Sequence, residues 1–138
     1  NLSPLRDTLQ EMMWDKAGIL RDAAGLTEAS SALDALEAEL DASGVDGANR
    51  AFNLTWHDWL NLKSLLLVSR AIVVASQARE ESRGAHWRED FPQTNDEAAG
   101  LAATSVRLED HRVILDWQKV AFTRLKPGDS LLTPVAAE

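Results

Sequence analysis

The chain has 138 residues, 45% hydrophobic and 26% charged, a composition that excludes wholesale disorder at a length that suits one compact core rather than two. Twenty-two acidic residues against fourteen basic give a formal net charge of -8, which disfavours a non-specific grip on nucleic-acid phosphates or anionic lipid and directs the expectation toward protein partners. No cysteine is present, so a disulfide, a thiolate-ligated iron-sulfur cluster and a Cys-type zinc site are all excluded for this segment.

Ser3-Pro4 followed by Leu5, Leu9, Met12 and Met13 predicts a capped first helix, with the serine accepting a backbone N–H and proline in the first turn, where its missing donor costs nothing. That helix is expected to loosen near Gly18. No signal or transit peptide is visible, and Asn1 in place of methionine leads us to expect a piece of something longer, though a processed terminus looks the same. A second helix is predicted from about Thr27. Leu26, Ala29, Leu33, Leu36 and Leu40 draw one apolar stripe at 3,4,3,4 spacing, and Ser43-Gly44 ends it. GVDGANR, residues 44–50, reads as a glycine-punctuated connection.

The third helix is predicted from a Thr55 cap, with Asp58 three positions on, to about Ser82. Trp56, Trp59, Leu60, Leu62, Leu66 and Val73 wrap more than half of its circumference, so it is expected to be central and contacted on several sides. Its most apolar run, SLLLVSRAIVVAS at 64–76, is interrupted by Arg70 and falls short of the ~20 apolar residues of a membrane span, so direct membrane insertion is not expected.

Beyond Pro92 the pattern changes to period two. In TSVRLEDHRVILDWQKVAFTRL, Val106 and Leu108, then Val113, Leu115 and Trp117, then Val120 and Phe122 fall on one side of an extended chain, which predicts a hairpin turning near Asp110-His111. A lone hairpin is marginal in water, so it should lean on the helices or a partner. The fold class is therefore mostly α: a three-helix up-down bundle over residues 1–92, with a short β-hairpin-like extension over 93–138 packed on the bundle or on a partner.

Catalytic chemistry is hard to place. His57, His86 and His111 lie on three predicted elements without metal-ligand spacing, and the chain lacks a P-loop, a GxGxxG turn and a GxSxG elbow. Glu80-Glu81 and Glu89-Asp90 stand beside arginines that favour their ionised forms, the wrong direction for a general acid. Trp56 and Trp59, at i and i+3, read as packing rather than as a ligand stack. Trp87 sits amid charges, and its ring is expected to cover a junction.

REESRGAHWREDFP, residues 79–92, is the stretch that asks for more than a helix stop, since seven of its fourteen residues are charged. On a helix continuing to Ser82, Arg79 and Arg83 are one turn apart and project two guanidiniums from one face. Arginine grips carboxylates and carbonyls bidentately, Gly84 permits a left-handed turn, and Phe91-Pro92 re-anchors the chain. The result is a clasp, within the domain or onto a neighbour.

ESRGAHWREDFP, with the preceding LVSRAIVVASQAREE, closely resembles the carboxy-terminal helical domain of the succinate dehydrogenase and fumarate reductase flavoprotein family, and LRDTLQEMMWDKAGILRD at 5–22 resembles the opening of that domain. The likeness covers roughly residues 5–92. The tail, VAFTRLKPGDS, resembles the extension of those subunits rather than the shorter end of L-aspartate oxidase, a relative that shares the ESRG block; the lack of tyrosine departs from the tyrosine-rich stretches common there. The resemblance implies a spectrin-repeat-like bundle attached to a larger FAD-binding domain of the same polypeptide and a capping domain. Flavin, dicarboxylate site and catalytic residues would lie upstream, so no catalytic, cofactor-binding or metal residue is assigned here, and FAD belongs to the parent protein. The parent would move a hydride between a C4 dicarboxylate and FAD and pass electrons to an iron-sulfur subunit, in the cytoplasm or at a membrane through partner subunits. Arg79, Glu81, Ser82, Arg83, Gly84, His86, Arg88, Asp90, Phe91 and Pro92 are carried over as interface candidates. The same domain of an L-aspartate oxidase and a freestanding helical interaction module are the alternatives.

Overall fold

The structure is a computed structural model that describes residues 2–45, 51–96, 102–124 and 129. It is mostly α, with helices α1 (Ser3–Ala17), α2 (Ala23–Ser43) and α3 (Leu54–Ala78). Two short strands, β1 (Leu20–Arg21) and β2 (Trp87–Arg88), pair in parallel, and a hairpin of β3 (Ala102–Glu109) and β4 (Arg112–Lys119) follows.

The core is a leucine seam. Leu26, Ala29, Leu33, Leu36 and Leu40 of α2 are all buried, as their spacing predicts, and face Leu62, Leu66 and Val73 of α3 and Leu9 and Ala17 of α1. Each buried leucine contributes about 1.5–3 kcal/mol of transfer free energy. The α2–α3 seam is edged by ion pairs: Lys63 reaches Asp41 at 2.6 Å and Glu37 at 3.3 Å, and Arg70 reaches Asp34 at 2.7 Å and Glu37 at 3.0 Å. By length and composition alone α3 would suffice to cross a membrane, a test that a core helix also passes. Arg70 and Lys63 instead bind it laterally to α2.

The helix ends differ from those predicted, each for a local reason. Leu2 precedes α1 without a side-chain cap, and Ser3 lies inside the helix. Asp22 caps α2 by accepting from the Gly25 N–H at 2.6 Å, so the helix begins four residues before Thr27, whose hydroxyl donates to the Ala23 carbonyl within it. Asn53 Oδ1, rather than Thr55, caps α3 by accepting from the Trp56 N–H at 3.0 Å. Gly44 closes α2 with φ of +60°. Residues 46–50 of the predicted connection, 97–100 of the turn-like segment and 125–128 of the tail lie outside the described residues.

α3 is less covered than expected. Leu62, Leu66, Ser69, Val73 and Ser76 form one buried face, while Leu60, Leu65, Leu67, Val68 and Ile72 stay exposed. Trp59 packs against the core rim and donates its indole N–H to the Leu40 carbonyl at 3.1 Å, which supports the packing reading.

The hairpin turns where predicted. Asp110 and His111 both have positive φ, +47° and +61°, the signature of a type I′ turn. The register pairs Val106 with Leu115, Leu108 with Val113 and Thr104 with Trp117, so the predicted apolar side is continuous; β4 ends at Lys119, before Val120 and Phe122. The hairpin lies along α3, its Ala102 end beside Arg79 and its tip beside Lys63, Ser64 and Leu67.

Candidate functional site

The clasp forms, but not on a helix. α3 stops at Ala78, and Arg79 is already extended. The chain then folds back over residues 80–96, stitched by Ser82. Its N–H donates to the Gln93 carbonyl at 3.0 Å, its hydroxyl accepts from the Arg88 N–H at 2.9 Å and donates to the Phe91 carbonyl at 2.9 Å, and its carbonyl accepts from the Thr94 hydroxyl at 2.8 Å. Residues 79–82 would suit a helix, so tertiary hydrogen bonds have overridden local propensity.

Arg79 and Arg83, expected side by side on one helical face, instead converge on Glu81. That carboxylate is fully buried. It receives Arg79 Nη1, Arg83 Nε and Nη2 at 3.2 Å, and the Asn95 N–H at 2.9 Å. Burial pushes the Glu81 carboxyl up, but the hydrogen bonds from Arg83, Asn95 and Arg79 outweigh it and hold it below its ordinary value. Arg83 also reaches Asp96 at 2.5 Å. Arg79 donates its second terminal nitrogen to the Ala102 carbonyl at 2.6 Å and lies over the Trp117 ring at 5.1 Å, tying the hairpin to the clasp.

Arg88 is almost as enclosed as Glu81, 1% exposed. Its Nη1 donates to the Ser76 carbonyl at 2.8 Å and more weakly to those of Gln77 and Arg79 at 3.3 Å, satisfying carbonyls that the end of α3 leaves open. Its Nε and Nη2 grip Asp90 at 2.7 Å each, and the guanidinium stacks over Phe91 at 5.0 Å. Asp90 in turn accepts the Ala23 N–H at 3.0 Å, in the first turn of α2. Arg88 leads the causes that hold the Asp90 carboxyl down to about 2.

Gly84, with φ of +58°, occupies a two-residue turn in which Arg83 and His86 exchange backbone hydrogen bonds at 2.8 and 3.0 Å. His86 Nδ1 lies 2.9 Å from Arg21 Nη1, and its Nε2 lies 3.1 Å from the Arg79 carbonyl. A guanidinium can only donate and a carbonyl only accept, so the ring is neutral with its proton on Nε2. Pro92, with Phe91, borders an open groove to which Glu80, Asp90 and Asp96 contribute carboxylates. Such a lining does not fit the pyrophosphate of a flavin dinucleotide. Among the described residues, no group of three His, Cys, Asp or Glu side chains is placed to hold a metal ion. With Glu81 and Asp90 both held ionised, neither serves as a general acid near neutral pH.

Sequence reasoning missed the far half of the clasp. Arg21 donates Nε to the Ala17 carbonyl at 3.0 Å and accepts the Glu89 N–H at 2.8 Å, and β1 pairs with β2 through Leu20 opposite Trp87 and Arg21 opposite Arg88. The signal was present only in the resemblance, whose first block ends at Arg21-Asp22.

The family described as Fumarate reductase flavoprotein C-term matches residues 6–131, from α1 to beyond the hairpin. The chain belongs to this family. A fumarate reductase flavoprotein subunit of Mycobacterium tuberculosis is 37% identical over 93% of this chain and 22% of its own length. An L-aspartate oxidase of Streptomyces coelicolor is 39% identical over 66% of this chain and 15% of its own length. An E. coli quinol fumarate reductase FrdA structure superposes with a TM-score of 0.85 over 94% of this chain and 22% of its own, at 24% identity, a likeness of fold. This member of the family thus spans about a fifth of the length of the curated fumarate reductase subunits it matches.

Proposed function

We propose that this chain is the carboxy-terminal, non-catalytic domain of an FAD-dependent flavoprotein subunit of the succinate dehydrogenase and fumarate reductase type. Residues 1–92 form its bundle and 93–138 its extension. It buttresses the flavin-binding domain of the same polypeptide and contributes surface to contacts with an iron-sulfur subunit, in a complex that is cytoplasmic or attached to a membrane through its partners. The parent moves a hydride between a C4 dicarboxylate and FAD, bound upstream. The observation that carries this is the family match through residues 6–131, which takes in both the clasp and the hairpin. The L-aspartate oxidase likeness stops at two thirds of the chain, which favours the fumarate reductase reading over that alternative.

In this reading the clasp gives the bundle a fixed end, and the ten candidate residues serve the interface by holding the exit segment rigid. Expression of the full-length subunit, beside residues 1–138 alone, tests it. The subunit is expected to carry flavin and to interconvert succinate and fumarate, while the isolated chain binds no flavin and has no such activity. A yellow, flavin-loaded preparation of the isolated chain would overturn the assignment, and oxidation of L-aspartate instead of succinate by the subunit would transfer it to the alternative.

A further inference from the structure

One end of the bundle carries large apolar side chains that the core does not use. Trp14, in the last turn of α1, is 72% exposed, and Ile19 and Leu20, just beyond it, are 69% and 57% exposed. Trp87 is 42% exposed, and the parallel pairing of β1 and β2 sets Leu20 directly opposite it, so the two side chains leave the strand pair on the same side. Trp14, Ile19 and Leu20 therefore share an end of the molecule with Trp87, although Trp14 and Trp87 stand 73 positions apart in the chain. Exposed tryptophans gathered in this way mark surfaces that another protein covers.

The backbone beneath them is unusually fixed. The Arg21 side chain is tied to the Ala17 carbonyl and to His86, its carbonyl receives the Glu89 N–H, and Arg88 next to Trp87 is bonded to the end of α3 and to Asp90. A surface held this way loses little conformational freedom on binding. Proportion indicates what covers it: a relative that matches 93% of this chain does so with 22% of its own length, so most of such a subunit is protein outside the bundle.

We propose that the Trp14, Ile19, Leu20 and Trp87 end is the seat on which the flavin-binding part of the same polypeptide docks, a proposal that rests on the functional reading above. The clasp is the frame of this seat rather than the contact itself. The exposed stripe of Leu65, Val68 and Ile72 along α3 belongs to a different side and is not part of it.

Hydrogen exchange on the wild-type full-length flavoprotein subunit, compared with residues 1–138 alone, tests the seat without a variant. Amides of residues 14–21 and 85–88 are expected to exchange at least tenfold more slowly in the subunit than in the isolated chain. Versions retaining Trp14 or Trp87 as the single tryptophan of the bundle should be quenched by acrylamide severalfold less in the subunit. Protection confined to α3 or to the hairpin would overturn the seat while leaving the buttressing function intact. Protection at the seat that appears only when the iron-sulfur subunit is added would also overturn it, giving the surface to that partner. No protection anywhere in the bundle would remove the buttressing function and the seat with it. L20D and W87D give a second readout: the isolated chain is expected to keep its melting temperature, while the subunit becomes tenfold more susceptible to protease at the domain junction; unchanged susceptibility contradicts the proposal.

Discussion

Arg88 and Asp90 join the two ends of the bundle's longest helices. Two bonds of 2.7 Å link them, and while Arg88 donates to the Ser76 carbonyl at the end of α3, Asp90 accepts the Ala23 N–H at the start of α2. A cation sits on the negative end of one helix and an anion on the positive end of the other, so each charge has both a partner and a favourable dipole. Arg88→Ala should cost about 3 kcal/mol, because it empties a buried site and leaves the Ser76 carbonyl at the end of α3 without its donor. Arg88→Lys should lose roughly half as much, since a lysine keeps the charge but not the fork. Denaturant midpoints in residues 1–138 check both.

Arg83 is expected to matter less than its place in the sequence suggests. Its side chain is 38% exposed, and Glu81 would keep Arg79 and the Asn95 N–H in its absence. Arg83→Ala should therefore cost about 1 kcal/mol or less, whereas Glu81→Ala, which leaves Arg79 enclosed without its carboxylate, should cost about 3 kcal/mol. Equal losses for the two would show that Arg83 is the principal partner.

The clasp should weaken with acid in two windows. Burial is the largest of the causes that hold His86 below its ordinary value of 6.5; the hydrogen bond with the Arg79 carbonyl opposes it, and the neighbouring guanidiniums of Arg21, Arg88 and Arg79 add to the lowering. The unfolded chain therefore takes up a proton before the folded one does, and stability falls as pH drops below 6.5. Asp90 and Glu81 act lower down, since their stabilisation is complete above ordinary carboxylate values and is lost as pH falls toward about 2 for Asp90. His86→Gln should flatten the upper limb of a stability curve between pH 7 and 5; an unchanged limb would acquit His86.

The hairpin turn offers a gain rather than a loss. Asp110 and His111 hold left-handed conformations that a side chain resists. His111→Gly should stabilise the turn by roughly 0.5–1 kcal/mol, read as slower exchange of the β3 and β4 amides.

Much of this was legible in the sequence where the contacts are local or periodic. The α2 stripe named its own buried residues, and the alternation around Asp110-His111 located a hairpin and its face. The errors lie where distant residues intervene. α3 stops before Ser82 because Ser82 pairs with Gln93 and Phe91, and α2 starts at Ala23 because Asp22 and the remote Asp90 complete its first turn. The strand pair of Leu20 and Trp87 has no periodicity to announce it. The breadth of apolar residues on α3 overstated its burial, because a pattern shows which residues are apolar and not which of them the rest of the chain covers.

The separation of Arg21 from His86, 65 positions, also has a kinetic meaning. Helices can zip and dock through nearby neighbours, but this lock requires the two ends of a long loop to meet, which is entropically the dearest step and should come after the barrier. Clasp substitutions should then leave refolding rates nearly unchanged and accelerate unfolding, so the lock acts as a brake on escape from the native state rather than as a guide into it.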